Sequence, residues 1–349
     1  MKECSSDHPK SPETNFSALP FSTHSSSGRI VIVKLGGAAI TNKSGLCDFP
    51  VDEERDNHTY SQIALAYKKL LEKGFKLILV HGAGSFGHPQ AKEYRLKDGW
   101  AANSFSSTVT SSYIKDTSTL KPPSSFYRKG FSYIRCCLQK LNHHVVDQLQ
   151  KHDVPVLSIP PIDYIEELSD YNGEHEDVTD QVFIPIIKRV QKYLKLGFVP
   201  VLHGDAVFDR VRGCTILSGD AIIYQLAKHI PEVQRCVFLT DVDGVFKYDP
   251  KIVKEENENV LYHLITVEED ETSKSVRVFD VTGGMDGKIR CAKQISLIKR
   301  IYSQQEQLSK QWVETVICRI GSVAAYQMMT LTDIDLSCEN QQKMTVFTV

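Results

Sequence analysis

Short, continuous apolar runs recur along the chain: RIVIV (29–33), KLILV (76–80), VPVLSI (154–159), FVPVL (198–202), CTIL (214–217), RCVFL (235–239) and TVICRI (315–320). An alternating run would bury one face only. Continuous runs suit strands covered on both faces, as in a parallel sheet. Between them, apolar positions recur at helical spacing. Ile63, Tyr67, Leu70 and Leu71 share a face, with Gly74 placed for a C-terminal cap. Ile134, Leu138, Leu141, Val145 and Leu149 make a long stripe, as do Ile186, Val190, Tyr193 and Leu194, and then Ile222, Ile223, Leu226 and Ile230. This alternation predicts an α/β protein, a three-layer αβα sandwich around a mainly parallel central sheet. Two stretches break the pattern. The Ser/Thr-rich residues 101–126 predict a long mobile loop, and the charged residues 251–274 a surface excursion.

Composition narrows the class. A chain of 349 residues, 41% hydrophobic, builds one large or two ordinary domains with a real core. Residues 1–28 are rich in Ser and Pro and predict a disordered tail. They lack the apolar core of a secretory signal, and Glu3, Asp7 and Glu13 argue against a mitochondrial presequence, so a cytoplasmic location is expected. A net charge of −2 favours neither nucleic acid nor a membrane surface. No apolar stretch nears the ~20 residues of a membrane helix. The nine cysteines form no C-x-x-C pair, which reads as reduced thiols and not as a disulfide framework or zinc site.

In open α/β sheets, ligands bind beyond the carboxyl ends of the strands. Those ends carry nearly all the unusual polar residues: KLGGAAITNK (34–43), HGAGSFGH (81–88), HGD (203–205), LSGD (217–220) and TDVDG (240–244). A turn like GGAA alone is an ordinary strand-to-helix connection. Lys34 directly behind an apolar strand is an edge gatekeeper or a phosphate ligand, and Gly36 and Gly37 beside it favour the ligand. His81 and His203 read as structural histidines. His88, past GSFG and in the loop, reads as a ligand. DVDG is not a calcium loop, because its glycine comes early and no glutamate closes it. There is no G-x-x-x-x-G-K-[ST], and the G-x-G-x-x-G of Gly82, Gly84 and Gly87 lacks the acidic residue of a dinucleotide site about 20 residues on. Lys34, Lys43 and Lys288, the last following TGGMDG (282–287), all adjoin glycine-rich or turn segments. Lysines converging with glycine amides suit phosphoryl transfer, where a protein positions two anions and neutralises the charge between them.

In this order, KLGG…ITNK, HGAGSFGHP.AKEY, LSGD, TDVDGVF and TGGM..K resemble the amino acid kinase superfamily over residues 30 to about 290. GSFGHP, with the KLNHHVV helix, is similar to the isopentenyl phosphate kinases within it. The resemblance implies one kinase domain over 29–349, with an acceptor half to about 205 and an ATP half from about 206. It implies transfer from ATP to isopentenyl phosphate, with Mg2+ and a homodimer. It assigns Lys34, Leu35, Gly36, Gly37, Ala38, Gly84, Asp241, Gly284 and Lys288 to ATP. Ala83, Gly84, His88, Gly219 and Asp220 go to the acceptor, His88 binding its phosphate and Asp220 orienting a lysine. Lys43 becomes a transition-state stabiliser, so Lys34, Lys43, His88 and Asp220 form the catalytic set. Ala38 departs from the family's KLGGS and removes one hydroxyl.

The chemistry agrees with that assignment. A phosphate monoester has its second pKa near ~6, so it is already a nucleophilic oxyanion at neutral pH. It needs cations and donors and no general base. Magnesium is then held by the ATP phosphates without a dedicated protein metal site. The alternatives are a superfamily enzyme acting on another phosphate, a phosphonate or a carboxylate, and a non-catalytic nucleotide-binding regulator of the same fold.

Overall fold

A computed structural model describes residues 28–42, 45–50, 52–100, 123–168, 176–248, 260–267, 284–304, 307–331 and 343–349. In chain order the elements are β1 (Arg29–Leu35), α1 (Gly37–Ile40), α2 (Glu53–Glu72), β2 (Phe75–His81), α3 (His88–Glu93), α4 (Ser125–Lys151), β3 (Val156–Ile159), α5 (Glu176–Lys195), β4 (Val199–His203), β5 (Asp205–Asp209), β6 (Gly213–Leu217), α6 (Gly219–His229) and β7 (Val233–Thr240). There follow β8 (Val245–Phe246), β9 (Leu261–Tyr262), β10 (Leu264–Thr266), α7 (Met285–Ser296), β11 (Lys299–Gln304), β12 (Gln307–Trp312), β13 (Glu314–Arg319), α8 (Val323–Met329) and β14 (Met344–Thr348).

Eight strands form the central sheet in the order β10-β14-β13-β7-β1-β2-β4-β3. Pairing is parallel except between β13 and β14. Strand β1 lies between β2 and β7, so the chain builds outward on one side and then crosses to the other. The crevice where the order reverses is the standard ligand position in such sheets.

The continuous apolar runs are buried on both faces. Val31, Val33 and Leu35 of β1 pack in a cluster with Tyr60, Ile63 and Leu70 of α2, Leu141 and Val145 of α4, and Met328 of α8. Ile30 and Ile32 face the opposite layer, where Ile186 and Val190 of α5, Ile222 and Leu226 of α6, and Ala292 and Ile295 of α7 close the second core. A smaller third cluster joins Ala91, Tyr94 and Leu96 to Tyr127, Ile134 and Leu138 of α4 and to Ala206 and Cys214 of the β5–β6 hairpin.

Three expectations change. Leu71 does not share the buried face of α2; it is 51% exposed while Leu70 is sealed, because Leu70 lies one step nearer the sheet-facing stripe. The CTIL run does not join the central sheet. As β6 it pairs antiparallel with β5 in a separate hairpin. Residues 125 and 126 of the expected mobile loop begin α4, and residues 260–267 of the expected excursion include β9 and β10. Residues 101–122, most of 251–274 and residues 1–27 lie outside the described residues. Gly74 ends α2 with φ +72°, as its cap role requires.

The two adjacent leucines give a clean test of the layer assignment. Leu70→Ala should destabilise by about 2–5 kcal/mol, and Leu71→Ala by no more than about 0.5 kcal/mol. Urea-unfolding midpoints of the two variants measure the difference.

Candidate active site

Strand β1 alternates its side chains between the two cores, and Ile30, Ile32 and Lys34 point the same way. Lys34 is therefore inside the strand and not beyond it, facing the layer that contains α6. There its Nζ forms an ion pair with Asp220 Oδ1 in the first turn of α6. Both are buried, Lys34 at 4% and Asp220 at 7% exposure. Burial raises the pKa of Asp220, but the charges of Lys34 and Lys288 and the hydrogen bond from Lys34 outweigh it and hold the carboxyl below its ordinary value. Lys288, near the start of α7, is lowered first by the charge of Lys34 and then by burial, with Asp220 and Asp241 opposing.

The two glycine-rich exits touch backbone to backbone. A Cβ on Gly82 would stand 2.7 Å from the amide nitrogen of Gly37, and one on Gly84 would stand 2.6 Å from the carbonyl oxygen of Gly37. Gly84 also has φ +51°. Thr41 bridges the pair, its hydroxyl donating to the Gly37 carbonyl (2.8 Å) and accepting from the Ser85 amide (3.1 Å). Ser85 is buried and in turn donates to the Asp48 carbonyl (3.1 Å), and Cys47 donates its amide to the Ser85 carbonyl (3.1 Å). Asn42 donates to Asp48 Oδ2 (2.8 Å). Residues on both sides of positions 43 and 44 are thus tied to GSFGH, while Lys43 itself lies outside the described residues.

These elements enclose a cavity of about 800 Å3. The first residues of α1, α3, α6 and α7 all line it. Helix starts lining one space favour anions, since leading amides have no partner within the helix, although at α6 the Ala221 amide is capped by the Ser218 hydroxyl (3.1 Å). His88 opens α3 and also lines the cavity, as do Lys97 and Lys288. Desolvation in the cleft, then the charges of Lys97, Lys288 and Lys34, lower the pKa of His88. On one side the wall is apolar, built from Ala91, Ile134, Leu138 and Ile216; on another stand Asp241, Phe246, Tyr248 and Met285. Arg319, at the end of β13, steadies the latter side. It donates to Asp243 Oδ1 (2.6 Å) and to the Asp241 carbonyl (2.7 Å).

Of the residues singled out in the sequence, Lys34, Gly36, Gly37, Ala38, Ala83, Gly84, His88, Gly219, Asp220, Asp241, Gly284 and Lys288 line this one cavity. Leu35 does not: its side chain is sealed in the core and its carbonyl accepts from the Gly82 amide (2.8 Å). Sequence reasoning passed over Thr41, Ser85, Lys97 and Asp205. Asp205 is fully buried, paired with Arg135, and accepts from the amides of Ala206 (2.8 Å) and Ile162 (3.3 Å). Burial raises its pKa to about 6. The HGD triplet carried that signal, since an acid two residues past a buried strand end needs partners. Nothing in YRLKDG marked Lys97. Among the described residues no group of three or more His, Cys, Asp or Glu side chains is arranged to hold a metal ion.

His81 is buried, its ring nitrogens placed against the Gly82 carbonyl (3.0 Å) and Asn142 Oδ1 (3.2 Å). It stacks on buried His203 with ring centroids 5.3 Å apart. Desolvation, together with the neighbouring imidazole, lowers His81 to about 3; desolvation lowers His203 to about 4. Neither lines the cavity.

The profile of the amino acid kinase family matches residues 29–301. An isopentenyl phosphate kinase from Methanocaldococcus jannaschii is 32% identical over 261 residues, which is 74% of this chain and 85% of that protein. The isopentenyl phosphate kinase of Arabidopsis thaliana is 34% identical over 236 residues, 63% of this chain and 61% of the relative. A solved structure described as "X-ray structures of isopentenyl phosphate kinase" aligns with a TM-score of 0.60 at 26% identity, covering 87% of this chain and 98% of its own. The T. acidophilum isopentenyl phosphate kinase product complex aligns at 0.56 and 21% identity over 91% of this chain and 99% of that one, a likeness of fold.

The buried histidines set an acid limit on stability. The unfolded chain protonates both near pH ~6.5, whereas the native chain resists until about 4 and about 3. Their contribution is complete above the unfolded value and is lost as pH falls below it. Asp205, held at about 6, acts in the opposite sense by one proton. Between pH ~6 and ~4 the balance is roughly one proton, so stability should fall by about 1.4 kcal/mol per pH unit from these groups. His81→Gln should flatten that slope, as read from denaturant unfolding across the range.

Proposed function

Since the chain belongs to the amino acid kinase family, among the isopentenyl phosphate kinases, we propose that it transfers the γ-phosphoryl group of ATP to isopentenyl phosphate, giving ADP and isopentenyl diphosphate for isoprenoid synthesis. One observation carries this reading: the cavity joins an anion cradle, made of helix starts, His88 and lysines, to an apolar wall of Ala91, Ile134, Leu138 and Ile216. A small phosphate monoester with a hydrocarbon tail fits both parts, and a dicarboxylate would leave the apolar wall unused.

The acceptor phosphate lies at Ala83, Gly84 and His88, near Gly219, with its tail against the apolar wall. ATP lies along Gly36, Gly37, Ala38, Gly84, Asp241, Gly284 and Lys288. An acceptor oxyanion attacks the γ-phosphorus directly, so no side chain has to remove a proton. Lys34, held in place by Asp220, and Lys43 neutralise the charge that builds between the two phosphates, together with the Gly37 amide; the Gly36 amide is taken by the Leu239 carbonyl (2.7 Å). Magnesium bound with ATP would supply screening of the phosphate charge, and among the described residues no carboxylate cluster is arranged to hold it separately. The acceptor half runs from residue 29 to about 205 and the ATP half from about 206, although the β5–β6 hairpin just past that point still packs on α3 and α4. The enzyme acts in the cytoplasm as a homodimer, on a small-molecule acceptor, with neither nucleic acid nor a membrane as partner. Among the described residues no helix is long and apolar enough to cross a membrane.

The direct test is ADP release from ATP that depends on added isopentenyl phosphate, with isopentenyl diphosphate identified by mass spectrometry. A panel including acetylglutamate and a phosphonate separates the other acceptors, and a protein that releases no ADP with any of them is not this kinase. His88→Ala should raise the acceptor KM far more than the ATP KM, and His88→Gln, which keeps a donor, should do less harm. Lys43→Ala should lower kcat by about 10²-fold or more, with smaller changes in either KM, by analogy with loss of one preorganised donor. Near-normal kcat in that variant removes Lys43 from the mechanism.

A further inference from the structure

Asp205 lines the cavity, yet both of its carboxylate oxygens are already engaged by the protein. The side chain is fully buried. Its Oδ1 faces the Arg135 guanidinium and accepts from the Ala206 amide (2.8 Å), and its Oδ2 accepts from the Ile162 amide (3.3 Å). A carboxylate beside a phosphate dianion would also repel it. Its role therefore lies in what it holds together: Arg135 in α4, Ile162 in the turn after β3, and Ala206 in β5.

Two of these segments build the apolar wall. Arg135 directly follows Ile134 and precedes Leu138 by one turn of α4, so the guanidinium anchors the stretch of helix that carries both. Ala206 stands opposite Ile216 in the β5–β6 hairpin, and Ile216 lines the cavity from there. Ala206, Ile134 and Leu138 also share the third cluster. The span from α4 to the hairpin, which is the width left for an acceptor tail, is thus bridged by one buried ion pair. Stability alone does not call for it, because apolar side chains of similar volume seal such a contact as well or better. A guanidinium on a carboxylate adds a fixed direction as well as a distance.

Resting on the acceptor reading above, we propose that Asp205 and Arg135 are positioning residues that hold the apolar wall at one width and so set the size of hydrocarbon tail the site accepts. They act through Ile134, Leu138 and Ile216 and touch neither phosphate. Steady-state kinetics test it, with ATP, isopentenyl phosphate and a prenyl monophosphate one isoprene unit longer varied separately; where the longer compound is not turned over, its competitive inhibition replaces its KM. The variants are Arg135→Lys, which keeps the charge but loses the planar fork, and the double variant Arg135→Met with Asp205→Leu, which leaves no buried charge unpaired. In the double variant the isopentenyl phosphate KM should rise by about 10-fold, the scale of one methylene in a hydrophobic pocket, with the ATP KM and kcat nearly unchanged. Its preference for the shorter acceptor over the longer one should fall by a similar factor. Arg135→Lys should lie between the double variant and wild type, and it decides the matter alone if the double variant does not fold. Urea-unfolding midpoints separate position from stability: a lowered midpoint with an unchanged preference between the two acceptors overturns the proposal, as does an equal rise in both the acceptor and the ATP KM. A wild-type enzyme that does not phosphorylate isopentenyl phosphate overturns the functional reading instead, so the two failures are distinct.

Discussion

Strands β1 and β2 run side by side in parallel register, Leu35 opposite His81, so the two chains leave the sheet at the same level and run into each other. Only main chain fits between them. A side chain on Gly82 or Gly84 would enter the peptide of Gly37, and the close approach is what makes both turns glycine. Thr41 then locks one turn to the other from the side. The anion-facing backbone is therefore held in place by its own packing before a ligand arrives, which is how a site avoids reorganising as charge develops. GSFGH is a packing motif before it is a binding motif: Ser85 and Phe86 point into the protein, and His88 emerges at the start of α3.

The Lys34–Asp220 pair follows from the same register. Because β1 alternates its side chains, a lysine at position 34 must face the layer of α6, and a buried ammonium there requires a counter-charge. Taking both charges out of water offsets most of their attraction, so the pair adds little to stability. Its effect is on position. Asp220 keeps Lys34 in place, yet the charge of Lys34 still bears on Lys288, and the charges of Lys97, Lys288 and Lys34 all bear on His88. An incoming polyphosphate relieves that repulsion, and the binding energy is spent where the reaction needs it.

Much of the fold could be read from the sequence because two-sided burial leaves continuous apolar runs, and seven such runs all became strands. What escaped was set by tertiary partners. CTIL has the composition of a core strand, but after β4 the chain leaves the central sheet and the run pairs with β5 within a hairpin. Leu71 satisfies a helical stripe as well as Leu70 does; only the orientation of α2 on the sheet separates them. In the site, residues flagged by glycine neighbours came together in one cavity. Thr41 and Lys97 sit in unremarkable local sequence, and their placement depends on what the third element across the cleft happens to be. Leu35 was assigned to ATP by the family resemblance, and strand alternation points its side chain away from the cavity.

The third hydrophobic cluster is small and stands apart from the two cores that clamp the sheet. Ile134, Leu138 and Ile216 touch it or line the cavity from it, while the glycine turns and the Lys34–Asp220 pair rest on the sheet. The molecule is mechanically divided in this sense: the sheet-borne part fixes where the transferring phosphoryl group goes, and the third cluster supports the acceptor. Mutational drift can remodel the second with little penalty to the first. A lineage of such proteins can therefore change the size of its acceptor while the chemistry stays as it was.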